Sequence, residues 1–449
     1  MENGDIKIWA DSIREDLPRM KGQISDTGFI IPRVPERLRL GENYPYEPQI
    51  ISFGPYHHGK PRLQAMEKYK WRYLEAILGR KKEIPLEHYI NMMKEQETKI
   101  RSWYPDYFDI NSSEEFVKMV LLDGCFVVEY LLRCHEDVLD ELDSMDWMHA
   151  QIQYDILLLE NQIPFFVLNK TFELLQVTPS PSMDVHSSPS SLTDMAISYL
   201  CRTTKQKANL PPPESVHHLL HLYHSFCLYT PKVERDSTTG MITIDGVTSE
   251  ISAQVSSKDI PSATVLQEAG IKFMRRDVEG SSLDVTFSNG EMKIPPLRIA
   301  GRTKSRLRNL AIFEQFYPNF RSDKSFSAYV EFINCLVTTP EDVALLYEEG
   351  IIHTYYGNKY TADLLSQLNR GITVQPNHYL APLRHSPCTH PSPNHLLWLL
   401  YFLVSTFTSI SLTTSVSRMK RREDNGEACV LIPHPRISLI SRGILSTKK

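Results

Sequence analysis

Apolar residues recur every three or four positions over most of this 449-residue chain, with one interval where they alternate instead. The first helical pattern is short. Ile6, Trp9, Ile13 and Leu17 share a face, and Pro18 ends it. A Pro- and Gly-rich stretch at 32–39 and 43–60 reads as extended segments and turns. From Pro61 the helical spacing returns: Leu63, Met66, Tyr69, Tyr73 and Ile77 line one face, Leu78 lies beside them, and Gly79 is placed to end the run. The spacing predicts further helices over 86–104, 112–138 and 145–175. Ser112 or Ser113 can cap the helix at 112, with Glu114 and Glu115 complementing its dipole, and Pro164 should kink or divide the one at 145. Helices at 191–203 and 214–228 follow a Ser/Pro-rich loop at 177–193.

Between 241 and 298 the period changes to two. Asn289-Gly290, flanked by "LDVTFS" and "EMKI", signals a hairpin. A helix over 262–276, capped near Ser262, is expected within this interval. Thr339, Pro340, Asp342 and Gly350 punctuate a helix over 338–350, and Thr361 and Gly371 do the same for 361–371. The expected fold is mainly α: a multi-helix bundle with a small β element around 241–298. A lead-in at 1–30, a body at 31–380, a linker at 381–395, an apolar segment at 396–416 and a tail at 417–449 divide the chain.

Composition narrows the function classes. A formal net charge of −5 argues against bulk nucleic-acid binding, which needs a basic face. The seven cysteines contain no CxxC pair, and Cys125 and Cys227 lie in apolar runs, so reduced thiols are expected rather than a disulfide scaffold. The polar N-terminus is not a signal peptide. The run from Leu396 to Leu412 would reach about 25 Å as a helix, and a bilayer core needs roughly 20 residues. We therefore expect a single-pass C-terminal membrane segment, with the plasma membrane as one destination and a soluble cytoplasmic form as the alternative. "RMKRR" at 418–422 favours a cytosolic tail, which would place the body outside; a cytosolic body with a C-terminal anchor is the competing topology. The sequons at Asn111 and Asn169 can be used only in the first.

Three groups of residues carry candidate chemistry. "GPYHHGK" places His57 and His58 between Gly54-Pro55 and Gly59. Adjacent imidazoles can ligate a metal, but no further ligands stand nearby, and a structural turn with backbone-bonded histidines is the expectation. His217, His221 and His224 are spaced four and three apart, the spacing of one helix face, and two such imidazoles suit a helical zinc site; the glutamate of an HExxH motif is missing. Four acids, Asp123, Glu129, Asp155 and Glu160, sit in apolar helical patterns. Paired they could do acid–base work; alone they are expected to meet Lys70, Arg72 or Arg101. No nucleophile elbow, P-loop or dinucleotide fingerprint occurs.

The order of several motifs carries a resemblance. "IPRVPERLR", "YEPQIISFGPYHHGKPRLQAMEKYKWRYL", "EEFVKMVLLDGCFVVEYLL", "DILLLENQIPFFVL", "VTFSNGEMKIPPLRI", "NLAIFEQFY" and "DVALLYEEGII" follow one another here. As a set, over about 9–380, this resembles the plant family called domain of unknown function 247, which carries UPF-type names. The resemblance implies a helical protein ending in one transmembrane helix, with no established activity or cofactor. Because some members lie at pollen–stigma self-incompatibility loci in grasses, it also implies recognition of protein partners. "GPYHHGK" is a hallmark of the family, so its histidines belong to a shared turn. After "PNHYLAPL" the sequence departs from the family pattern, as an altered reading frame or a retained intron would make it do. The expected function is a membrane-associated interaction or signalling module without catalysis. A metal-dependent hydrolase using His217 and His221 and a soluble splice form are the alternatives.

Overall fold

The computed structural model describes residues 31–39, 44–138, 146–175, 191–201, 211–228, 260–276, 283–317, 324–374 and 378–380, together with Arg14 and Leu142. The helix expected at 5–17 (Arg14 apart), the "MITID" strand, the linker at 381–395, the apolar segment at 396–416 and the tail all lie outside the described residues. Among the described residues no helix is long and apolar enough to cross a membrane.

The chain up to Pro387 forms one compact unit, mainly helical with a small mixed sheet. A 3₁₀ turn at Pro61–Met66 leads into α1 (Glu67–Arg80). Then come α2 (Leu86–Glu95), α3 (Glu97–Arg101) and α4 (Ser113–Glu136). The single helix expected over 86–104 is thus broken at Gln96. Gly79 lies inside α1 rather than capping it. α5 (Asp146–Ile156) and α6 (Phe165–Leu175) are separated by a non-helical connection that ends at Pro164, which cannot supply an amide to a continuing helix.

α4 is the centre. Its residues from Met119 to Leu132 are all buried, and apart from Asp123 and Glu129 they are apolar or small on every face, as a core helix requires. Helices α1, α2, α6 and α7 (Leu192–Cys201) pack around it. Ser112 caps α4 by accepting from the Glu115 amide at 3.3 Å.

The second layer starts with α8 (Leu219–Leu228), five residues later than expected. Three prolines and a 3₁₀ turn at Pro213–Ser215 delay it, and the His218 ring accepts the His221 amide at its N-terminus. α9 (Ala263–Glu268) stops early because Gly270 takes a left-handed conformation (φ 93°), so Lys272–Arg275 becomes strand β1 instead of continuing the helix to 276. β2 (Thr286–Ser288) and β3 (Glu291–Ile294) form the expected hairpin around Asn289 (φ 52°) and Gly290 (φ 77°). β3 also pairs parallel with β1.

β4 (Leu297–Ile299) pairs parallel with β5 (Ile352–Thr354), a strand that the helical reading of this region did not anticipate. Between them run α10 (Thr303–Phe316), α11 (Ser325–Leu336) and α12 (Pro340–Glu348). α12 carries the expected capping box of Thr339 and Asp342, and Gly350 follows it at φ 68°. α13 (Asn358–Leu365) begins at Gly357, so Thr361 is a buried interior residue rather than its cap.

Candidate functional site

The segment from Ile31 to Gly59 has little secondary structure, yet much of it is buried. Its amides therefore need partners other than water. The acids singled out in the sequence provide them. Asp155, in the last turn of α5, accepts the amides of Gln49 (2.8 Å), Ile50 (2.8 Å) and Ile51 (3.0 Å). Asn161 accepts Phe53 at 2.7 Å, and Asp123 accepts Gly54 at 2.8 Å. Glu160, which lies in the α5–α6 connection and not in a helix, accepts Val34 at 2.5 Å and binds Arg39 through the same oxygen.

Each acid is balanced differently. Asp123 pairs with the fully buried Lys70 at 2.7 Å. Burial still holds its carboxyl above the usual range, with Lys70 opposing. Asp155 meets no cation among the described residues, contrary to the expected ion pair. Burial pushes it up to about 6, against the pull of the three amides. Burial also acts to raise Glu160, but His57, Arg39 and the Val34 amide outweigh it and hold the carboxyl below its usual range. Glu129 lies apart. Arg80 (2.6 Å) and Arg133 (2.7 Å) hold it, while Arg101 pairs with Glu97 instead.

The turn itself is wedged in place. Gly54 has φ 70°, and a methyl there would stand 2.7 Å from the Gln162 carbonyl oxygen and 2.9 Å from the Tyr104 hydroxyl. Gly59 has φ 74° with open space around it. His57 is 1% exposed and its Nε2 faces Glu160 Oε2 at 3.4 Å; it makes no hydrogen bond to backbone, unlike the expectation. Burial, opposed by Glu160, lowers its pKa. The turn thus joins Asp123 and Glu160 through one short stretch of chain, and a pocket beside it, lined by Phe53, Asn161 and Gln162, holds only about 10 Å³.

The second histidine group does not form one helix face. His217 precedes α8 and stacks on His221 at 4.8 Å between ring centres. His221 Nδ1 accepts the His217 amide at 3.2 Å, and burial brings His221 down to about 3. His224 points elsewhere, to Glu314 at 2.9 Å. Among the described residues no group of three or more His, Cys, Asp or Glu side chains is arranged to hold a metal ion.

Two residues that the sequence reading missed complete the same design. Glu314, fully buried in α10, accepts the amides of Phe326 (2.9 Å) and Ser327 (2.8 Å), capping α11 from outside. Arg308 is 2% exposed and donates to the carbonyls of Leu38, Gln367, Leu368 and Arg370 at 2.7–3.1 Å. No carboxylate pairs with it among the described residues. The signal available was a charged residue within a helical run, "RLRNLAIFEQF", and it did not distinguish these two from their exposed neighbours.

The chain as a whole is similar to known plant proteins. The UPF0481 protein At3g47200 of Arabidopsis thaliana is 29% identical over 360 residues, covering 76% of this chain and 73% of its own. The putative UPF0481 protein At3g02645, from the same plant, is 24% identical over 429 residues, covering 78% of this chain and 79% of its own. No solved structure matches. A family model described as plant protein of unknown function matches residues 31–417, which starts later than the motif resemblance and runs past 380 through the apolar segment. The chain therefore belongs to the plant family called domain of unknown function 247.

Proposed function

We propose that this protein is a non-catalytic recognition module that its C-terminal apolar segment attaches to a membrane. The observation that carries the reading is the use of the buried acids. Asp155 spends both oxygens on three consecutive amides, Asp123 divides its two between the Gly54 amide and the buried Lys70, and Glu160 gives one oxygen to both Val34 and Arg39 while the other faces His57. Groups committed to holding the chain are unavailable as general bases. The large aromatic side chains left exposed, Trp71, Tyr347, Tyr355 and Tyr360 among them, are of the kind that protein interfaces use. The membrane part is supported by the length and flanking charge of 396–416.

Alkaline-carbonate extraction of the tagged full-length chain tests the attachment. The protein should stay with the membrane pellet and move to the supernatant when 396–416 is deleted; release of the intact chain overturns it. Proximity labelling in plant tissue tests the recognition role. A set of partners that recurs between replicates is expected, and labelling no different from that of a soluble control overturns it.

A further inference from the structure

A cleft of about 420 Å³ opens over the two-stranded sheet, lined by Arg275, Pro296, Arg298, Tyr347, His353, Thr354 and Tyr355. Its floor follows from the register. Arg298 on β4 and His353 on β5 are paired neighbours, so their side chains leave the same face of the sheet. Arg275, at the end of β1, and Tyr347, in the last turn of α12, form the walls. Tyr355, just past β5, is 88% exposed.

Charge and shape point in one direction. The lining contains two guanidiniums and an imidazole but no carboxylate. Arginines 39, 62, 80, 101, 133 and 276 each pair with an acid. Arg298 is exposed and pairs with none among the described residues. A guanidinium is a bidentate donor matched to carboxylates. The aromatic surface also extends beyond the cavity: the Tyr356 and Tyr360 rings lie tilted against each other at 4.8 Å between centres, and both are exposed, 38% and 53%. A small anion would occupy only part of the cleft and leave that surface uncovered. An extended chain would cover both. Tyrosine and arginine side by side are also the composition of interface hot spots.

We propose that this cleft is the docking site for an extended acidic segment of a partner protein, with carboxylates on Arg275 and Arg298 and side-chain bodies against Tyr347 and Tyr355. It deepens the recognition reading above and rests on it.

A random twelve-residue peptide library, displayed on phage and selected against the purified full-length protein, tests the idea. The enriched peptides should carry at least two Asp or Glu residues. By fluorescence anisotropy they should bind about tenfold or more weakly to an Arg275→Ser/Arg298→Ser variant, and more weakly as salt rises. Arg298 is exposed, so the single Arg298→Ser variant measured alongside should melt with the wild type and already bind the peptides more weakly. Replacing Glu by Gln in the best peptide should abolish binding. Neutral or basic winners, or equal affinity for the variant, overturn the proposal. So does displacement of the peptide by inorganic phosphate alone at equal charge concentration, which would assign the cleft to small anions, or tighter binding of a twelve-nucleotide single-stranded RNA, which would assign it to nucleic acid. Proximity labelling with the same variant separates the two levels. Partners that persist in the variant sink the cleft and leave the recognition role standing, whereas the absence of any partner for the wild type removes both.

Discussion

Replacing Gly54 by alanine should be among the most damaging single-methyl changes in the protein, and Gly59 supplies its control. Both glycines adopt the left-handed conformation, at φ 70° and 74°. A side chain there costs about 1–2 kcal/mol at either position. At Gly59 nothing stands within 4 Å of the new methyl, so that strain is the whole effect. At Gly54 the methyl would meet the Gln162 carbonyl oxygen at 2.7 Å and the Tyr104 hydroxyl at 2.9 Å. These two atoms are hydrogen-bonded to each other at 2.9 Å, and parting them costs about 1 kcal/mol. Moving the backbone away instead stretches the bond from the Gly54 amide to Asp123, a charge-assisted bond whose loss costs about 1.5–3 kcal/mol. By the cheaper of these two routes Gly54→Ala costs about 2–3 kcal/mol, against about 1–2 for Gly59→Ala. Urea unfolding of the full-length chain, followed by tryptophan fluorescence, measures both. If the two variants unfold within about 0.5 kcal/mol of each other, the turn is not wedged and the reasoning fails.

Asp123→Asn should destabilise by about 3 kcal/mol, because the buried Lys70 loses its closest anchor in the core, and adding Lys70→Met should recover part of that loss; a double variant no better than the single one would refute the pairing. His221 is neutral in the fold, with its pKa at about 3 against an ordinary 6.5. The unfolded chain therefore binds the extra proton first, and the stability present above pH 6.5 is lost as pH falls toward 3. Between pH 7 and 5 the wild type should lose about 2 kcal/mol more than His221→Leu, and parallel pH profiles would count against this. Asp155, raised to about 6, has the opposite sign: its ionisation weakens the fold as pH rises from the unfolded value near 3.8 through 6, so Asp155→Asn should remove a falling component from the same profile. Arg308→Lys keeps the charge but cannot reach four carbonyls, and should cost about 2–4 kcal/mol by the same urea assay; a loss under about 0.5 would show the carbonyl cluster is not held by the guanidinium.

The helical body was legible wherever local pattern sufficed. α4 announced itself by a long, mostly apolar run with a serine and two glutamates at its start, α12 by a complete capping box, and the hairpin by Asn289-Gly290. The misreadings share a cause. Lys272–Arg275 continues an apolar spacing compatible with a helix, and only pairing with β3, fifteen or more residues later, makes it a strand. β5 owes its existence to β4, more than fifty residues earlier. Likewise the spacing of His217, His221 and His224 suits a helix face, but the proline run upstream delays α8 past His217. The four acids were visible as anomalies in apolar surroundings. Their partners were not, because a backbone amide leaves no mark in the sequence. Nothing local distinguishes Asp155, which holds three amides, from Glu129, which holds two arginines.

These long-range amide and carbonyl clamps decide how the body can come apart. Segment 31–54 has almost no hydrogen bonds of its own to regular structure, and it is held by Asp123, Asp155, Glu160 and Asn161, which lie 69 to 126 residues away. Arg308 joins that same segment, through Leu38, to residues 367–370 near the other end of the described body. A buried carboxylate whose amides are removed is left charged in an apolar site, and so is a buried guanidinium without its carbonyls, so each clamp penalises opening from either side. Helices α1 to α8 are therefore not a free-standing bundle with an N-terminal ornament. Deleting the segment at 31–54 leaves several buried charges unmet at once, and the penalty falls on α4, α5 and α10 together. Such a network resists substitution even where no chemistry is performed, and invariance of its acids and histidines among relatives would follow from the fold alone.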